Sequence, residues 1–222
     1  FGFYTEASGD KSAAFGEDTT ASGNQSAAFG YTATASGNQS AAFGFYTEAS
    51  GFYSTAFGKR TEAVATAATA FGNSTKASGD YSFAIGSNTE TSGAYSFAGG
   101  SGSYANASGA YAFGTNATSS ANNAFSLGES TIASGQHSFA LGQGIEAQGD
   151  HSMAFALDGN QGGTTVSANT AAFMGGNLGI GTTNPGAKLQ TYRSTDNSAE
   201  NAGSGLHDTT PDLELKNDID KA

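Results

Sequence analysis

Residues 5–158 consist of eleven consecutive 14-residue units with no net insertion or deletion, and nothing else in the chain restricts its fold as strongly. The first three read TEASGDKSAAFGED, TTASGNQSAAFGYT and ATASGNQSAAFGFY. Units begin at Thr5, Thr19, Ala33, Thr47, Thr61, Thr75, Thr89, Ser103, Ala117, Thr131 and Ile145. Position 12 is Gly in ten of the eleven, with Ala156 in the last, and position 10 is Ala in ten, with Ser126 the exception. A fixed short period is the signature of stacked repeats, each unable to bury its own core alone. Low charge (12%) and 33 Gly in 222 residues would otherwise suggest disorder. A disordered low-complexity chain has no reason to hold such a register.

Composition removes other classes. There is no Cys, so disulfide scaffolds and thiolate metal sites are excluded. Gly does not recur every third residue, so the chain is not collagen-like. No apolar run reaches the roughly 18 residues of a membrane-spanning helix, so no membrane insertion is expected of this segment. With 19 acids against 8 bases the net charge is −11, the wrong sign for a nucleic-acid groove.

Each unit divides into two half-units of the form Ser/Thr-x-Ala-x-Gly-x-x, as in Thr5, Ala7, Gly9 and then Ser12, Ala14, Gly16. Small residues at every second place are a strand period, and Gly recurs too often for a helix interior. The pattern predicts two strands of about five residues per unit, with the two residues after each Gly forming a turn. Positions 1, 3, 5, 8, 10 and 12 are nearly all Ser, Thr, Ala or Gly, so they share a crowded face where two strands of one coil meet. In the first strand, positions 2 and 4 read as solvated (Glu6 and Ser8, Glu48 and Ser50, Lys76 and Ser78).

In the second strand, positions 9 and 11 carry a stripe pointing away from the coil interior: Phe15, Phe29, Phe43, Phe57, Phe71, Phe83, Ile85, Phe97, Phe113, Phe125, Leu127, Phe139, Leu141 and Phe155. Burying one Phe is worth roughly 1.5–3 kcal/mol. A stripe this long exceeds the apolar patch a monomer leaves bare. Residues 159–222 are too short and polar to cover it, so the stripe is expected to be a subunit interface. Stacked at about 4.8 Å per turn, the eleven turns would span roughly 50 Å.

The segments SAAFG, SFAIG and SFALG within this register resemble the head repeats of YadA-type trimeric autotransporter adhesins. The resemblance covers residues 5–158. It implies an all-β fold, a left-handed parallel β-roll, with three chains around one axis and the apolar strand facing that axis. Handedness and the number three come from the resemblance alone. Phe stands here where that family often has Ile or Val, which implies a bulkier axial core. Residues 175–190, GGNLGIGTTNPGAKLQ, resemble a segment common in bacteriophage tail fibres. The expected organisation is therefore a β-roll domain over 1–158 and a small β-rich connector over 159–222. FGFYTEASG at 1–9 is identical to 43–51, so the repeat array is expected to begin before residue 1.

Unit 8 departs from the pattern. Its Ala107-Ser108-Gly109 sits two places late, after the run 99–102 (Gly-Gly-Ser-Gly), and Gly99 replaces an apolar stripe residue. This predicts a bulge, a small cavity or simple drift. After Asp158 the repeat is expected to stop, with short strand-like pieces at 164–166, 187–192 and 213–216.

No nucleophile elbow, zinc-protease, P-loop or dinucleotide motif is present, so no enzyme activity and no cofactor is expected. His137 and His151 both occupy position 7 and should stack; they are more simply read as turn residues than as metal ligands. The run 158–162 (Asp-Gly-Asn-Gln-Gly) lacks the closing Glu of a calcium loop, so no metal is assigned. The Asn-x-Ser/Thr triplets at Asn24, Asn38, Asn73, Asn106 and Asn116 follow from composition. The candidate ligand-binding residues are aromatics in turns: Tyr31, Phe45, Tyr46, Phe52, Tyr53, Tyr81 and Tyr95. Turns normally carry polar residues, so these either stack on sugars, bind a partner protein or pack on a neighbouring protomer.

The expected function is an adhesive, extracellular, homotrimeric fibre segment, on a bacterial surface or a phage virion, that binds a host-cell receptor, glycan or matrix protein. The alternative is a structural shaft or self-associating filament subunit. Ice binding through the position-1 Thr row is weakened by Ala33, Ser103, Ala117 and Ile145.

Overall fold

The computed structural model describes residues 1–157, 164–176, 178–180 and 189–191. The chain divides into two compact units, Phe1–Met174 and Gly175–Ala222. The first is a parallel β-solenoid of about twelve turns with a 14-residue repeat. One sheet of thirteen strands contains the second strand of every turn, and one of twelve contains the first. Every strand pairs in parallel with its equivalent one turn away, as in Phe15 with Phe29 and Gly16 with Gly30. In the second unit, Leu178–Ile180 pairs in parallel with Leu189–Thr191. No helix occurs among the described residues.

The expected interior is present. Alanines at positions 3 and 10, such as Ala21, Ala28, Ala63 and Ala70, are fully buried, as are Thr and Ser at positions 1 and 8. Many of those hydroxyls, Thr19 and Thr61 among them, have no protein hydrogen-bond partner. These fill space as methyl groups would, whereas Ser54, Ser96 and Ser103 donate to the carbonyls of Gly51, Gly93 and Gly114, and further bonds form where position 3 becomes polar. There Thr91 Oγ1 donates to Ser82 Oγ at 3.0 Å, and Ser119 Oγ lies 2.8 Å from Ser126 Oγ.

The strands depart from the predicted five-plus-five. The second strand has five residues and runs through position 13, as in Ala13–Glu17, one residue past the Gly expected to end it. The first has only two paired residues, as in Glu6–Ala7. Its ladder ends because the Ser8 and Gly9 N–H groups both donate to the Ala21 carbonyl, so the chain has already begun to turn. Two bends per coil are set by residues with positive φ at positions 7 and 14, for example Lys11 (57°) and Asp18 (52°).

Gly at position 12 follows from two independent requirements. Its φ is +124° at Gly86 and +133° at Gly16, a region that side-chain-bearing residues rarely occupy. A Cβ there would also overlap the carbonyl of the next turn's glycine, Gly100 above Gly86. Position 5 lacks the first requirement and accepts Ala65, Ala107 and Ala121.

Unit 8 contains no bulge. Its strand holds full register, Ile85 with Gly99 and Gly99 with Phe113. The Phe113 and Phe97 rings close over Gly99, with Phe113 Cδ2 2.6 Å from where a Cβ would stand. Gly102 and Gly109, which looked displaced, occupy the two bend positions at φ 63° and 66°.

The repeat also continues past residue 158. Thr164–Val166 pairs with Ile145–Ala147, and Ala171–Met174 pairs with Met153–Ala156. The offset between paired residues is 19 at Thr164 and 18 at Phe173, instead of 14, because the chain inserts five residues before Thr164 and drops one before Ala171. Both strands re-enter the ladder in spite of the changed offset. Of the other expected strand pieces, 187–192 contains Leu189–Thr191, and 213–216 lies outside the described residues.

Gly86→Ala should lower the midpoint of urea unfolding by the equivalent of at least ~2 kcal/mol, since strain and overlap combine. Gly79→Ala, at the position where other turns carry Ala, should cost clearly less. Equal losses would contradict the assignment of position 12 as the conformationally required glycine.

Candidate functional site

The outer face of the long strands carries the stripe residues where alternation places them. Phe15, Phe29, Phe43, Phe57 and Phe71 form a ladder at position 11, stacked near parallel at 4.9 Å between Phe15 and Phe29 and 5.0 Å between Phe57 and Phe71, with a 34° tilt and 6.3 Å between Phe43 and Phe57. The ladder then changes column. Phe83, Phe97, Tyr111, Phe125 and Phe139 stack at position 9, while Ile85, Gly99, Phe113, Leu127 and Leu141 fill position 11. It returns to position 11 with Phe155 and Phe173, 4.7 Å apart. Tyr111 and Phe173 belong to this face and were absent from the expected set. Phe173 was hidden by the insertion, although the AAFMG around it repeats the AAFG ending of earlier units. In the single chain the face remains open: Phe57 is 47% exposed and Phe113 49%.

The turn aromatics fall on two different edges of the coil. Tyr31, Phe45 and Tyr46 gather on the edge formed by positions 13 and 14. Tyr31 stacks on Phe45 at 5.1 Å, and Tyr46 meets both rings edge-on, at 5.7 Å from Tyr31 and 4.6 Å from Phe45. Tyr46, then Glu17, raises the Tyr31 phenol above its ordinary value, because the neighbouring negative charge opposes ionisation. Phe52 and Tyr53 lie on the opposite edge, at positions 6 and 7, edge-on at 4.1 Å. Tyr81 and Tyr95 stack on that same edge at 5.2 Å, two and three turns beyond Tyr53. The structure therefore does not bring the seven together.

The position-6 and -7 edge has its own ladder. Asn38 Oδ1 accepts the Asn24 N–H at 3.0 Å, Asp80 Oδ1 accepts from Thr66 at 3.0 Å, and Asp150 Oδ1 accepts from Gln136 at 2.8 Å. Phe52 stands in this row and offers no acceptor to the turn before it. Tyr53 at φ 60° sits where Gly or Asn is the usual occupant. Both residues thus cost the turn something locally, and both are exposed. His137 and His151 stack at 5.0 Å in the same row, with Asn123 Nδ2 3.4 Å from His137 Nε2. Among the described residues no cluster of three or more His, Cys, Asp or Glu could hold a metal ion.

Sequence reasoning missed a pair of shallow grooves along the bend between positions 14 and 2. One, of about 640 Å3, is lined by Phe45, Tyr46, Glu48, Arg60 and Glu62 together with Thr32, Thr34 and Thr47. The next, of about 440 Å3, shares Arg60 and Glu62 and continues past Lys76 and Glu90 to Tyr104. The available signal was Tyr104, an aromatic in a row otherwise of Glu, Thr, Lys and Ile.

Replacing Tyr53 with Gly removes the cost of a bulky residue at positive φ, on the order of 1 kcal/mol. Tyr53→Gly should therefore unfold at the same temperature as the unmodified chain or higher. A clear drop in Tm would show that Tyr53 is retained for stability.

The YadA head domain repeat model, in its two-copy form, matches the chain over residues 7–31, 21–47, 49–75, 63–89, 77–103, 105–128 and 122–144. No curated protein matches it. The matched segments cover more than half of the chain and all but the last begin in phase with its 14-residue register, so the chain belongs to the YadA head repeat family, whose members are trimeric autotransporter adhesin-like surface fibres.

Proposed function

We propose that this chain is the adhesive segment of a homotrimeric extracellular fibre, joined along the Phe ladder and binding a cell-surface receptor, glycan or matrix protein through aromatics on its turn edges. Heads of this family are homotrimeric adhesins exposed on bacterial surfaces. The observation that carries the reading is the apolar outer face of the long strands, stacked in register over twelve turns and open in the single chain. Such a face is hydrophobic enough to drive association and too long for residues 175–222 to cover. Three copies on one axis would present each binding edge three times, so weak single contacts sum to strong attachment. The role is binding rather than catalysis. The resemblance of residues 175–190 to tail-fibre segments suggests a virion fibre as a second carrier of the same device.

Adhesion of the chain to cultured host-type cells, scored with sedimentation on the same samples, tests this. Replacing Phe45, Tyr46, Phe52 and Tyr53 with Ser should lower adhesion at least tenfold while the trimer persists. Unchanged adhesion would assign the aromatics no binding role and favour a structural shaft. Loss of the trimer would place them in the subunit interface instead.

A further inference from the structure

The two grooves between positions 14 and 2 share Arg60 and Glu62, so they form one channel along six successive turns, from Thr32 to Tyr104. At the spacing of about 4.8 Å per turn, that is roughly 24 Å. Aromatic rings stand at both ends: Phe45 and Tyr46 at one and Tyr104 at the other, each between 41% and 48% exposed. Among the described residues no aromatic ring stacks on Tyr104, which is 41% exposed. Between them, Glu48 and Glu62 face each other directly across neighbouring strands. Like charges so placed destabilise a sheet; Lys76, 3.7 Å from Glu62, offsets part of this, and among the described residues no ion pair reaches Glu48. The channel thus combines aromatic faces, two carboxylates on neighbouring strands, and the Arg60 and Lys76 donors.

We infer that this channel binds a neutral saccharide chain, lying along the fibre with its end residues on the Phe45–Tyr46 and Tyr104 rings and its hydroxyls shared among Glu48, Glu62, Arg60 and Lys76. The inference rests on the adhesive reading above and names its ligand class. Aromatic rings pack on the C–H faces of sugars, while sugar hydroxyls, which both donate and accept, match carboxylate acceptors and guanidinium donors. Charge selects against the alternatives. An anionic glycan meets Glu48, Glu62 and Glu90 on a chain of net charge −11. A basic peptide meets Arg60 and Lys76 inside the channel. The repeat of the turns is comparable to that of residues in a β-linked sugar chain, so successive sugars meet successive rows. The contact is shallow and multivalent, as suits attachment that sums over copies.

The 222-residue chain applied to an immobilised array of neutral oligosaccharides (glucose, galactose, mannose and N-acetylglucosamine series), with sialylated and sulfated glycans and oligolysine alongside, tests this. The expected result is binding to at least one neutral series, little weakened by 0.5 M NaCl. Tyr46→Ala, Tyr104→Ala and Glu62→Gln should each reduce it at least tenfold, and Tyr104→Phe should retain most of it. The paired Phe52→Ser and Tyr53→Ser change, on the other edge, should leave it intact. Binding confined to charged glycans or oligolysine, no binding to any neutral series, or neutral binding indifferent to Tyr46 and Tyr104 would each overturn the inference. So would dissociation of the oligomer by Tyr104→Ala. Cell adhesion distinguishes the two levels: if it persists and depends on Phe52 and Tyr53, the adhesive reading stands and only the channel fails.

Discussion

The two sheets of each coil lie so close that nothing larger than Ala, Ser or Thr is buried between them over nearly the whole repeat. Ala at positions 3 and 10 and Thr or Ser at positions 1 and 8 reach zero or near-zero exposure. The larger Ile145 and Val166 appear only near the end of the array. This thin interior governs the rest. It limits how much apolar area a single chain can bury, and hence how much stabilisation it draws from its own core. The large apolar residues must then lie outside the coil, and a parallel ladder aligns them at strand spacing. A fold short of internal core acquires a continuous aromatic face as a by-product of its own register.

That face is arranged with some care for volume. Through the first five units Phe occupies position 11 beside Ala or Thr at position 9. From the sixth to the tenth, Phe or Tyr occupies position 9 beside Ile, Gly, Phe or Leu, and the eleventh pairs Met153 with Phe155. Gly99, one turn past the change of column, lies beneath two rings, so the face is filled there without a side chain of its own. A surface meant only for water would not need such balancing. In the proposed trimer it becomes the seam that supplies the core each chain lacks.

Much of this was legible in the residues. Alternation of small side chains gave the interior, the 14-residue period gave the stacking, and the position of Phe within each unit gave the outer face. What was not legible depended on backbone geometry or on distances across rows. Strand lengths were misjudged because the bends are set by positive φ at positions 7 and 14, which residues as unlike as Lys11, Tyr53 and His137 adopt. The displaced motif in unit 8 proved to be a glycine filling such a bend. The twelfth turn was hidden by five inserted residues at a place where the ladder tolerates them. The channel past Arg60 escaped notice because its walls come from different units, and only Tyr104 stood out within its own row. The turn aromatics were recognised, but their division between two edges follows from the coil and not from their order in the chain.

The account stands or falls on the aromatic face being a seam between chains. Sedimentation equilibrium of the 222-residue chain measures this most directly. A single species near 66 kDa, three times the 22.1 kDa of one chain, that shifts to 22 kDa when Phe29, Phe43 and Phe57 are all replaced by Asp, is the predicted result. A soluble, folded monomer at micromolar concentration in the unmodified chain would contradict it.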